Sequence, residues 1–183
     1  MSKLILKQAK LQALNDSEKV ELSDFYFDLS QFNIPKLMVT LKEDIVIRAE
    51  KTRNAVGELV ETGLYNLSFK VYDRNFIELV VSNGGTEIGS PITVVVEKYE
   101  NSNGFIGVDH QNELYLPQLQ SVQDDEFISI VFENIRVVPK KVEKKVFVKQ
   151  GSPMAQTWAY SELKVIASDF SISIGDSSDG KAK

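Results

Sequence analysis

The stretch YNLSFKVYD, Tyr65 to Asp73, alternates strictly: Tyr65, Leu67, Phe69 and Val71 fall to one side, Asn66, Ser68, Lys70 and Tyr72 to the other. A helix would scatter these residues around its axis, whereas a β-strand sends successive side chains to opposite faces. The pattern predicts a half-buried strand with Lys70 and Tyr72 on the solvent face. It resumes in FIELVVSNGG, with Ile77, Leu79 and Val81 opposite Phe76, Glu78 and Val80, and the intervening Asp73, Arg74 and Asn75 suit a tight hairpin loop.

Further strands are expected over LMVTL, EDIVIRAEK, SPITVVVEKY, EFISIVFENIRVV and KKVFVK, most of them bounded by Gly, Pro, Asn or Asp. Helical signals are few. They are a start near Asp16 or Ser17, two turns in NAVGELVETG ending at Gly63, and a turn in MAQTWAYSELKVIA before a last strand. Strands that do not alternate with helices favour a barrel or sandwich over a parallel α/β sheet. The expected division is an N-terminal extension or subdomain over 1–35, a β-barrel-like domain over 36–174 and a flexible tail over 175–183.

With 183 residues, 43% of them hydrophobic, the chain can bury its own core. The absence of cysteine excludes disulfides, thiolate metal sites and thiol nucleophiles. His110 is the one histidine, which excludes a histidine metal cluster, and its setting GVDHQNE reads as a surface turn. Asp124, Asp125 and Glu126 lack the spaced ligands and the glycine of a cation loop and read as a solvated turn. Gly84 to Gly89 imitates a phosphate loop but places Ser90 and Pro91 where its lysine and hydroxyl belong, so it reads as a hairpin connection. No catalytic residue, metal site or cofactor is expected. Leu4, Ile5 and Leu6 fall short of a signal-peptide core, and no apolar run approaches the roughly 18 residues of a membrane span. A cytoplasmic protein without a membrane partner is the expectation.

The net charge is -5, yet FENIRVVPKKVEKKVFVKQG concentrates Arg136, Lys140, Lys141, Lys144, Lys145 and Lys149 against the single acid Glu143 after Asn134. Lysines on a strand can simply guard an exposed edge. That use does not account for the aromatic residues. If VEKKVFVKQ is a strand, Phe147 stands between Lys145 and Lys149, and in the earlier hairpin Tyr72 and Phe76 flank the turn near Lys70 and Arg74. Aromatic rings among cations are the surface on which single-stranded nucleic acid stacks its bases and seats its phosphates. The same rings also suit ordinary core packing. Arg48, Lys51 and Arg53 extend the basic character, interrupted by Glu50.

The segments DIVIRAEKTRN, LYNLSFKVYDRNFIELVV, SPITVVVEKY and EFISIVFENIRVVPKK resemble, in order and composition, the barrel strands of oligonucleotide/oligosaccharide-binding (OB) fold proteins. The resemblance is to those that bind single-stranded DNA and are carried by phages and conjugative elements of Gram-positive bacteria, and it covers about residues 36–149. It implies a mainly β, OB-like antiparallel barrel with an N-terminal extension and one or two short helices. It further implies non-enzymatic binding of single-stranded nucleic acid, DNA ahead of RNA, with low sequence specificity. Lys140, Lys141, Lys144, Lys145 and Lys149 would then meet phosphate, with Lys70 and Arg74 beside them, while Phe147, Tyr72 and Phe76 would stack bases. GDSSDGKAK lacks the acidic, apolar-ended tail by which housekeeping single-strand binders recruit partners. The alternative is a phage or mobile-element module that binds a protein, including an inhibitor of a host protein, and a homo-oligomer is compatible with either. A hydrolase or carbohydrate-binding domain built on paired carboxylates and Trp158 finds no spacing that selects a pair.

Overall fold

The computed structural model describes residues 6–8, 26–146 and 155–174. In chain order its strands are β1 (Leu6–Gln8), β2 (Tyr26–Phe27), β3 (Met38–Thr40), β4 (Ile45–Arg53), β5 (Leu59–Asp73), β6 (Ile92–Glu100), β7 (Gly107–Val108), β8 (Leu114–Tyr115), β9 (Ile128–Glu133), β10 (Arg136–Val146), β11 (Ala155–Ala167) and β12 (Asp169–Ser173). One α-helix, α1 (Arg74–Ser82), stands between β5 and β6 among the described residues. The chain is thus mainly β. It divides into two compact units: the described residues up to Asn33 with Arg136–Ile166, and Ile34–Ile135 with the described residues from Ala167.

In the larger unit every ladder is antiparallel, and β5 organises them. Its alternating apolar residues Leu67, Phe69 and Val71 are fully buried, as period two predicts. One edge of β5 pairs with β6; the other pairs first with β4 and then, at Tyr72 and Asp73, with β3. β3 pairs in turn with β9, and β9 with β12. The ladder path ends at β12 and is not closed into a barrel, which departs from the OB-like closure expected. The core lies where rings from both ends of this path meet. Phe170 on β12 lies 4.8 Å from Phe69 on β5, 5.5 Å from Tyr99 on β6 and 6.2 Å from Phe105, ring centre to ring centre, and Phe132 on β9 lies 5.4 Å from Phe69.

In the other unit, β1 pairs with β2, β2 with β10 at Val137, and β10 with β11 along its whole length, all antiparallel. Phe27 and Phe32 meet edge to face, and the Arg136 guanidinium lies 5.2 Å from the centre of the Tyr26 ring, within reach of a cation–π attraction.

Four local expectations are corrected. FIELVV is helix α1, not a returning strand: the Asp73 carboxylate accepts from the Asn75 N–H as an N-cap, Arg74 pairs with Glu78 one turn on, and buried Ile77 anchors the helix. Gly84 and Gly85 close its C-terminus, donating to Val81 and Val80 carbonyls, so this glycine run is no hairpin connection. NAVGELVETG is no helix. Asn54 Oδ1 accepts from the Val56 and Glu58 N–H groups, and Gly57 at φ 85° completes a turn that sends the chain into β5. MAQTWAYSELKVIA is strand from Ala155, paired against β10 with one register shift, at which the ladder passes from Tyr160 to Glu162. The expected start near Asp16 or Ser17 lies outside the described residues.

Lys98 in β6 has φ 56°, left-handed for a residue with a side chain, where the β5–β6 register slips between Tyr65 and Leu67. Asn66 Oδ1 accepts its N–H and holds the bulge. Lys98→Val is therefore expected to cost about 1–3 kcal/mol despite its strand preference, while Lys98→Gly should be neutral or stabilising, as urea unfolding will read.

Candidate nucleic-acid interface

The residues singled out for ligand contact fall into two groups, one in each unit. In the larger unit, β3 and β4 are joined by a 3-10 turn, Lys42–Asp44, whose last residue is buried. A carboxylate withdrawn from water needs partners, and β5 supplies them. Lys70 Nζ donates to Asp44 Oδ1 at 2.8 Å, and the Tyr72 hydroxyl donates to Asp44 Oδ2 at 2.8 Å. Buried Thr40 donates its hydroxyl to the Lys70 carbonyl at 2.8 Å, where the β3–β5 ladder stops.

This network corrects the placement of Tyr72 on a solvent face. Its ring is buried against Val39, Ile77 and Phe127, the last 6.1 Å away edge to face, because α1 and the segment before β9 cover the far side of β5. A ring so placed stacks no base. Lys70 keeps an exposed stem but commits its ammonium to Asp44, and that hydrogen bond and charge hold its pKa above the usual 10.5. Burial, reinforced by the hydrogen bond to Asp44, pushes the Tyr72 phenol up to about 12. Arg74 is paired to Glu78 at 2.7 Å on α1. Phe76 is partly exposed on the same helix, close enough that a side chain at Gly89 would touch its ring.

The second group lies on β10. Lys140 pairs with Glu162 of β11 at 2.8 Å, both side chains about half exposed. Beyond a register shift at Lys140, the ladder sets Lys141 opposite Tyr160, Glu143 opposite Trp158, Lys144 opposite Thr157 and Lys145 opposite Gln156. Phe147 and Lys149 lie outside the described residues. The pairing brings together what sequence reasoning kept apart. Trp158 and Tyr160 sit in a segment whose apolar spacing also fits a helix face, so their place beside the lysines is visible only from the register.

His110 is exposed in a loop that the Asp109 carboxylate closes by accepting from the Gln111 and Glu113 N–H groups. Asp124 lies 3.8 Å from Lys42. Among the described residues no three His, Cys, Asp or Glu side chains gather as metal ligands, and no helix is long and apolar enough to cross a membrane.

Lys70 and Tyr72 hold their protons more tightly folded than unfolded. Their contribution to stability is therefore complete below about pH 10 and lost as pH rises toward 12. Tyr72→Phe, which leaves one Asp44 oxygen without its donor, should cost about 1–3 kcal/mol at neutral pH and flatten the alkaline loss, measured by denaturant unfolding across that range. Compared with known proteins, the chain matches no family model, no curated protein and no solved structure.

Proposed function

We propose that the protein binds single-stranded nucleic acid, DNA ahead of RNA, without catalysis and with little sequence preference, through the β10–β11 ribbon. The observation that carries this reading is the register that sets Lys141 and Lys145 on the same face of the ladder as Tyr160 and Trp158, with Lys144, opposite Thr157, on the other face. Phosphates need cations spaced along an extended path, and bases need rings within the same reach; a two-stranded ribbon provides both at strand spacing. Lys149 and Phe147 continue the pattern in sequence. Lys140 joins them by exchanging Glu162 for phosphate, an exchange an exposed ion pair permits because it is worth no more than about 1 kcal/mol. Tyr72, Lys70 and Arg74 have no part in the site proposed. The OB-like reading of the larger unit rests on β5, which serves two sheet faces as a barrel's long strand does, with the barrel left open.

The alternative, a protein-binding module of a phage or mobile element, draws on α1, where Leu79 and Val81 are each 62% exposed although the helix is largely apolar.

The test uses the chain's single tryptophan, Trp158. Adding a single-stranded oligonucleotide should quench its fluorescence, and duplex should compete poorly. With about four phosphates neutralised, log affinity should fall with log salt at a slope of about -3. Replacing Lys141, Lys144, Lys145 and Lys149 together by alanine should flatten that slope, and Phe147→Ala should weaken binding by about 1–3 kcal/mol with little loss of stability. Unchanged tryptophan emission at low salt, or undiminished binding by the lysine variant, would remove the ribbon as the site.

A further inference from the structure

A cavity of about 900 Å³ in the larger unit is lined by five successive residues of β4, Ile45 to Ala49. Neighbours in a strand point to opposite faces, so a cavity that touches every one of them lies against the strand's edge and reaches its backbone. β5 occupies the other edge of β4, and among the described residues no ladder occupies this one. Across the cavity stand Val108 of β7 and Leu114 of β8. A smaller space of about 230 Å³ continues it, sharing Ile45, Ile47 and Leu114 and ending at Leu116 and Leu119.

Free edges are ordinarily guarded by charge and by irregular pairing. The outer half of β4 is guarded in both ways, by Lys51 and Arg53 and by the register shift between Ala49 and Lys51. The inner half has only Arg48. We propose that Ile45 to Ala49 is a docking edge for an extended segment of a partner protein, which adds to the sheet as a strand beside β4. The Ile45 N–H is taken by the Lys42 carbonyl; beyond it the outward N–H and C=O groups enter no ladder among the described residues, and groups repeating along a strand are matched only by another extended main chain.

The side chains state what that segment carries. Ile45, Ile47 and Ala49 pair with Phe69, Leu67 and Tyr65 and share their face, which Leu114 and Val108 continue across the gap, so alternate residues of the partner are apolar. Val46 and Arg48 pair with Ser68 and Asn66 on the opposite face. Arg48 is exposed and makes no ion pair among the described residues, so the partner's intervening residue is acidic. The lining does not suit a polyphosphate. Arg48 and Lys51 are balanced by Glu61 and Glu113, and Lys51 is 3.5 Å from Glu61.

The probe is a short capped peptide alternating valine and glutamate, titrated into the full chain while amide resonances are followed. Shifts that saturate at Ile45 to Ala49 are expected. Lysine in place of glutamate should weaken binding about tenfold, Arg48→Glu should do the same to the glutamate peptide, and combining the two changes should recover most of the loss. N-methylation of the peptide amides that face β4 should abolish binding. The proposal is overturned by silent β4 amides at millimolar peptide, by equal binding of the N-methylated peptide, by displacement with a single-stranded oligonucleotide, or by self-association of the chain that occludes the edge. This test reads the β4 amides and the ribbon test reads Trp158 emission, so the two outcomes are separate.

Discussion

One buried carboxylate holds the place where the larger unit turns from one sheet into another. Asp44 ends the 3-10 turn between β3 and β4, two strands that share a single edge of β5, and its oxygens take the Lys70 ammonium and the Tyr72 hydroxyl. Thr40 closes the gap in the ladder through the Lys70 carbonyl. Without these bonds the backbone at the break would face the core unsatisfied, and a carboxylate left there alone costs several kcal/mol. With them, β5 runs on to pair with β3, β3 carries β9 and β12, and Phe132 and Phe170 arrive over Phe69.

The same physics separates a cation committed to the fold from one in an exposed pair. Lys70 cannot leave Asp44 without stranding a buried charge. Lys140 can leave Glu162 at little cost, because both ends of that pair are solvated. Sequence composition treats the two lysines alike; burial of the partner carboxylate separates them. Basic residues are concentrated in sequence on β10, while the lining of the β4 cleft has balanced charge and a strand edge that no ladder occupies among the described residues.

Much of the architecture was legible in advance. Alternation of apolar residues predicted β5 from Tyr65 on and its buried face, and β4 and β6 follow the expected segments; EFISIVFENIRVV, expected as one strand, is instead β9 and the start of β10, broken at Asn134 with φ 51°, and β10 runs on through Pro139 to Val146. The helix α1 was not read, because FIELVV has as much strand character as helix character, and the Asp73 cap and Arg74–Glu78 pair that tip the balance are also ordinary turn residues. Tyr72 was misplaced for a related reason: alternation tells which residues share a face, but whether the second face meets water depends on what the chain later lays over it.

The amino-acid sequence by itself determined the mainly β class of structure, the position of its basic segment and the absence of thiol and disulfide chemistry, since these depend on local periodicity and on which residue types are present. Tertiary structure alone decided which residues of β10 and β11 stand opposite one another, which cation is held by a buried acid and which strand edge no ladder occupies among the described residues. Those are matters of register and burial between segments far apart in the chain, and period-two patterns are the same for every partner a strand can choose.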